Sequence, residues 1–253
     1  MKGQRCLGGA PARLDPRMPL LSQTSKRVMA KRAPERLPRT GINPAPLLLG
    51  NDRLGNCSAV GVGNSIRATA ALNGFQVSVR EADAVAFYSA STGYVPGDEA
   101  TDLGGDELSV LTHASRQGFS LASQTLFPVF GTADFEDLNA VRNVIAGMDC
   151  SYAGFALAKA DQAAGVWDTQ TAGDQTPASW GYHCGLIWSW DGTADDDLVT
   201  ILTWGMEQKA TWRWVRSRLT EAHGLLWRQL LPPAKVQDWG TLIEANQEFL
   251  SAV

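Results

Sequence analysis

Apolar residues recur at helical spacing from about residue 58 to about 150, and the pattern then switches to short β-branched and aromatic segments. Val60, Val62, Ile66 and Ala70 form one face of a helix predicted over Ser58–Asn73, with Gly74 as its stop. A second helix is predicted from Val79 to Ser91, burying Val85, Phe87 and Tyr88. Asp106 reads as the N-cap of a third, Glu107–Gln117, closed by Gly118. Phe135–Gly147 is a fourth, with Leu138, Val141, Val144 and Ile145 on one face. Beyond it, Ser151–Leu157, His183–Trp190, Leu198–Trp204 and Thr211–Val215 read as antiparallel strands separated by turn chemistry such as Asp191-Gly192. Helix-like segments return around Trp214–Leu230 and Asp238–Leu250. Helices followed by strands predict an α+β protein, with a helical lobe over about 47–150, a β lobe over about 151–230 and a closing helix over about 238–250. Prolines punctuate residues 1–46, leaving an extended arm with room for helix only around Ser22–Ala33.

The 253 residues and 44% hydrophobic content suffice for one sizeable domain or two small lobes around a cleft. No apolar run approaches the length of a membrane span, and Met18–Leu21 is too short and proline-broken for a signal-peptide core, so a cytoplasmic or virion-associated protein is expected. Cys6, Cys57, Cys150 and Cys184 show no metal-ligand spacing and imply a reduced compartment or incidental thiols; no cofactor and no metal is expected. The net charge of −4 is asymmetric: ten Lys/Arg against Asp15 and Glu35 put +8 on residues 1–41, leaving −12 on the rest. Such an arm could contact nucleic acid or join protein partners in a larger assembly, but it lacks interleaved aromatics and is better read as lying on the acidic body. Asp98, Glu99 and Asp102 in the glycine-rich loop Gly93–Gly105, with Asp106 just after it, lack an EF-hand pattern, so that loop reads as a solvated one bordering the cleft.

Candidate chemistry centres on Asn51–Val60. Cys57 falls at a helix N-terminus, where unpaired N–H groups and the helix dipole favour a thiolate, although a small apolar filler is an equally simple use of cysteine. Among the three histidines, His113 lies mid-helix and His223 on a predicted surface helix. His183 opens a strong strand in Trp180-Gly181-Tyr182-His183-Cys184-Gly185, where a rigid element can present an imidazole to a cleft.

Together, Cys57 at a helix start, His183 opening a strand 126 residues later and Trp204-Gly205 ending the next strand resemble the papain-like cysteine peptidases, over roughly residues 47–227. The Leu49–Cys57 loop is reminiscent of phage and prophage members. The resemblance implies a two-lobed papain-like fold and a thiol hydrolase acting on a peptide or protein substrate. It implies that Cys57 is the nucleophile, His183 its base, Asn51 (six residues before the cysteine, where the family has glutamine) an oxyanion donor, and Trp204 a cleft wall. Two departures stand out. The family's orienting asparagine falls on Leu202, and Thr203 can replace it only if a bulge or register slip turns its hydroxyl toward His183. The arm also lacks the long helical pattern of an inhibitory propeptide. The alternative implied is a catalytically vestigial papain-fold binding protein, for example a virion component.

Overall fold

A computed structural model describes residues 5–25, 32–39, 46–163, 165–236 and 239–253. Small residues decide how its central helix packs. Helix α1 (Cys57–Asn73) is buried almost all round, and Gly74 closes it in the left-handed conformation with φ 76°. A Cβ on Gly61 would stand 2.8 Å from the Tyr152 ring and 3.0 Å from Cys184 Sγ, so glycine lets α1 settle directly onto the sheet. Helices α2 (Glu81–Thr92) and α3 (Glu107–Gln117) flank α1. The Asp106 side chain accepts from Ser109 N–H at 2.9 Å, which fixes the start of α3.

After a short hairpin of β1 (Phe119–Ser120) and β2 (Thr125–Leu126), β3 (Pro128–Thr132) enters the main sheet, followed in sequence by α4 (Leu138–Met148) and β4 (Ser151–Leu157). The sheet is completed by β5 (Val166–Trp167), β6 (Gly181–Trp190), β7 (Leu198–Thr203), β8 (Met206–Thr211) and β9 (Leu219–Trp227), in the order β3-β9-β4-β6-β7-β8-β5. A core lies on each face. Tyr152, Cys184, Leu186 and Leu202 pack toward α1 and the helical lobe, whereas Ala153, Phe155, Ile187 and Ile201 join a second core with α4. Between β8 and β9 runs α5 (Trp212–Arg218), and α6 (Gly240–Ala252) packs on β3 through Asn246 Nδ2–H, which donates to the Phe130 carbonyl at 3.0 Å.

Two predicted elements are corrected. Thr211–Val215 is not a strand: β8 ends at Thr211, whose hydroxyl accepts from Trp214 N–H at 3.1 Å and caps α5. Trp214–Leu230 is not a helix, because β9 occupies most of it. That strand lies between β3 and β4 and is buried on both faces, so its apolar run lacks the alternation that marks a half-exposed strand. His223 therefore sits in the sheet with no exposure rather than on a surface helix. Within Ser22–Ala33 only the single turn Leu21–Thr24 is seen, and the remainder of that predicted helix falls largely outside the described residues.

Candidate active site

The loop that delivers Cys57 is held by its own amides. Asn56 Nδ2–H donates to the Leu49 carbonyl at 3.0 Å and Asn51 Nδ2–H to the Leu54 carbonyl at 2.9 Å. From outside the loop, the Asp102 carboxylate accepts Gly55 N–H at 2.9 Å and the Tyr88 hydroxyl at 2.6 Å. Cys57 is the first residue of α1, and its Sγ accepts from the Cys184 N–H at 3.4 Å. The thiol of one lobe therefore rests against the residue that follows His183 in the other.

The register explains what faces the imidazole. Leu186 pairs with Leu202, so Thr203 stands opposite Gly185 and shares the face of His183, while Leu202 turns to the helical core. A shift between Ile187 and Ser189 accommodates this pairing. His183 Nε2 and Thr203 Oγ1 are 2.5 Å apart. His183 Nδ1 is buried without a hydrogen-bond partner, so the thiol and the ring are not hydrogen-bonded to one another in this arrangement. Trp204 stacks on His183 with ring centroids 3.8 Å apart, and Trp180 stacks in turn on Trp204 at 5.7 Å.

Burial sets the electrostatics. The Cys57 thiol is pushed up to about 12 by desolvation, against which the Cys184 N–H acts weakly. His183 is pulled down to about 3, first by burial and then by the Arg5 charge. The sequence expectation of a thiolate favoured by the helix terminus is therefore reversed in this closed state: removing water costs the charged forms more than the dipole returns.

What closes the site is the arm, which lies between the two lobes. Gly9 pairs antiparallel with Tyr182 and parallel with Gly105; its N–H donates to the Tyr182 carbonyl at 3.1 Å, and Gly105 N–H donates to the Gly8 carbonyl at 3.0 Å. The Cys6 carbonyl accepts from Trp204 Nε1–H at 3.0 Å and from Asn51 Nδ2–H at 3.3 Å. A peptide carbonyl thus sits on the Asn51 amide, to which the family resemblance assigns an oxyanion role. The fit around the arm is tight: a Cβ on Gly8 would lie 1.8 Å from the Gly55 carbonyl oxygen, and one on Gly9 2.7 Å from His183 N. The arm lacks the predicted marks of an inhibitory segment yet fills the cleft, because two consecutive glycines suffice to thread it. Leu7-Gly8-Gly9 was the available signal in the sequence.

Three-dimensional comparison bears on this arrangement. Xylellain, a cysteine protease from Xylella fastidiosa, superposes with a TM-score of 0.63 over 89% of this chain and 97% of its own, at 12% identity. The fold is papain-like. Procathepsin B S9 from Trypanosoma congolense gives a TM-score of 0.59 at 12% identity, over 88% of this chain and 86% of its own. Digestive procathepsin L2 from the larval midgut of Tenebrio molitor gives 0.53 at 14%, over 78% of this chain and 69% of its own. No family model and no curated protein sequence matches the chain. Among the described residues no helix is long and apolar enough to cross a membrane.

Proposed function

We propose that this papain-like chain is a thiol hydrolase of peptide or amide bonds, held latent by its own arm. The observation that carries the reading is the Cys57 Sγ to Cys184 N–H contact at 3.4 Å, which sets the thiol beside the strand that presents His183. With the arm withdrawn, Cys57 gives its proton to His183 Nδ1 and Sγ bonds to the substrate carbonyl carbon. The Cys57 N–H and Asn51 Nδ2–H hold the resulting oxyanion, each worth about 3 kcal/mol in the transition state. His183 then returns the proton to the departing amine as the C–N bond breaks, and water releases the acyl group from sulfur. Thr203 orients the imidazole through Nε2, and Trp204 shields it.

A second reading, a vestigial papain-fold module working in a larger assembly such as a virion, is favoured by one observation: His183 Nδ1 has no partner while the thiol is sealed. Iodoacetamide labelling separates the two. A chain lacking residues 1–10 is expected to show a Cys57 that reacts below pH 6, to lose that reactivity in His183→Ala, and to cleave a mixed peptide library. Thiol reactivity that rises only above pH 8, with no cleavage, would favour the module.

A further inference from the structure

Behind Cys57, on the face of the sheet that meets the helical lobe, three acid and imidazole side chains converge away from the chemistry just described. Glu221 on β9 pairs across the ladder with Gly154 on β4, which pairs with Cys184 on β6; His223 and Tyr152 form the neighbouring row. Glu107, the first residue of α3, descends onto the same point. One donor atom from each of Glu107, Glu221 and His223 lies within 4.8 Å of the others. All three are sealed, at 3%, 1% and 0% exposure.

The surroundings are shaped for this convergence. Gly154 lies midway along the fully buried β4, between Ala153 and Phe155, and a Cβ there would stand 2.8 Å from Glu107 Oε1 and 3.1 Å from Glu221 Oε1. The β4–β9 register also shifts at Gly154/Phe155. The His223 ring is held edge-on by Phe130 and tilted against Tyr152, at centroid distances of 6.5 Å each. His223 Nε2 lies 3.0 Å from Glu221 Oε2, while His223 Nδ1 and Glu107 Oε2 have no hydrogen-bond partner. Among the described residues no Lys or Arg forms an ion pair with either glutamate. Two carboxylates removed from water with only the titratable His223 imidazole beside them among the described residues are costly, and the unpartnered Glu107 Oε2 and His223 Nδ1 add to that.

We propose that Glu107, Glu221 and His223 bind a divalent transition-metal ion, Zn²⁺ foremost, that ties the start of α3 in one lobe to β9 in the other. Two carboxylates and one imidazole form a mixed O/N donor set that suits Zn²⁺ or Mn²⁺ better than Ca²⁺, which takes oxygen alone. Tetrahedral bonds to zinc of about 2.1 Å place ligand atoms about 3.4 Å from one another, so the cluster, now within 4.8 Å, contracts by up to about 1.4 Å at its widest. The ligands lie 114 and 2 residues apart in sequence, which is why no spacing motif announces them. The site is independent of hydrolysis by Cys57.

The test uses the full chain, freed of metal by chelation and dialysis and titrated with Zn²⁺ calorimetrically, with thermal melting in parallel. One ion per chain is expected, with affinity at least tenfold weaker in Glu221→Gln and in His223→Gln, and unchanged in Cys150→Ser, in His113→Ala and in Cys57→Ser. Lack of saturable binding by the folded wild-type chain would overturn the proposal. So would affinity that survives Glu107→Gln/Glu221→Gln/His223→Gln or vanishes in Cys57→Ser. Should the single variants fail to fold, anomalous scattering at the zinc edge from crystals of the wild-type chain decides: a peak between the three side chains supports the site, and a peak elsewhere or none overturns it.

Discussion

The indole of Trp204 lies flat against the imidazole of His183, with ring centroids 3.8 Å apart and 14° between the planes. Trp204 holds this position at φ 44°, followed by Gly205 at φ 67°, in the two-residue turn that joins the last β7–β8 pair, Thr203 and Met206. That conformation favours asparagine followed by glycine; a bulky residue there is strained. The strain is offset by what the ring covers. Trp204→Asn is expected to relieve the turn yet cost about 2–4 kcal/mol net through lost aromatic packing. His183 should move up from about 3 toward the usual imidazole range as water reaches it. Denaturant unfolding and NMR titration of the ring read the two effects separately, and an unmoved titration would show that Trp204 does not shield His183.

Thr203 offers a sharper substitution. Thr203→Val keeps the shape and removes the hydroxyl 2.5 Å from His183 Nε2. The buried nitrogen is left unpaired, at a cost of about 1–3 kcal/mol. Turnover by the arm-deleted chain should fall by up to about 100-fold, because a ring free to rotate presents Nδ1 in the reactive orientation only part of the time. Thr203→Ser should restore most of it. Steady-state kinetics on the three chains would check this.

The arm's double glycine predicts a gain rather than a loss. Any side chain at Gly8 meets the Gly55 carbonyl, since even a Cβ would come within 1.8 Å. Gly8→Val should therefore unseat residues 5–10 and speed iodoacetamide labelling of Cys57 by tenfold or more, equivalent to about 1.4 kcal/mol of opening free energy. Deleting residues 1–10 should do the same. Equal labelling rates in all three chains would remove the arm from the account of latency.

Stability should be bounded on both sides in pH. His183 is held neutral in the folded chain, titrating near 3, whereas unfolded chain takes up its proton near 6.5; protonation therefore favours unfolding progressively as pH falls from about 6.5. Cys57 behaves as the mirror case. It stays protonated up to about 12 when folded but ionises near 9 when unfolded, so stability declines as pH rises above about 9. Urea midpoints should form a plateau between these limits. Cys57→Ser should lessen the alkaline slope, to which the buried Cys150 and Cys184 also contribute, and His183→Gln the acid one.

Legibility followed burial geometry. The edges of α3 and β4 could be read to the residue, because Asp106 and Gly118 are local punctuation and Ser151–Leu157 is a bounded apolar run. Cys57 could be singled out as a candidate for the same reason, as the first residue of α1, whereas His183 stands two residues inside β6 rather than opening it as expected. Thr203 could be named only conditionally, since which face it takes depends on a shift between Ile187 and Ser189 that no local pattern encodes. Strand β9 and His223 were misread because both faces of that strand are covered, which erases periodicity. The course of the arm was invisible too: Gly8 and Gly9 mark a narrow passage only once Gly55, Gly105 and Tyr182 supply its walls.

The Cys6 carbonyl reaches Trp204 across 198 positions of chain. Contacts so remote in sequence carry a heavy closure entropy and form late. On a ribosome the arm emerges ahead of everything it docks against, and it has nowhere to seat until β7 and the turn after it have been made. On the proposed latent reading, each newly synthesised molecule passes through an interval before the arm covers Cys57. The length of that interval is set by translation, and a protein of this design guards its sulfur last.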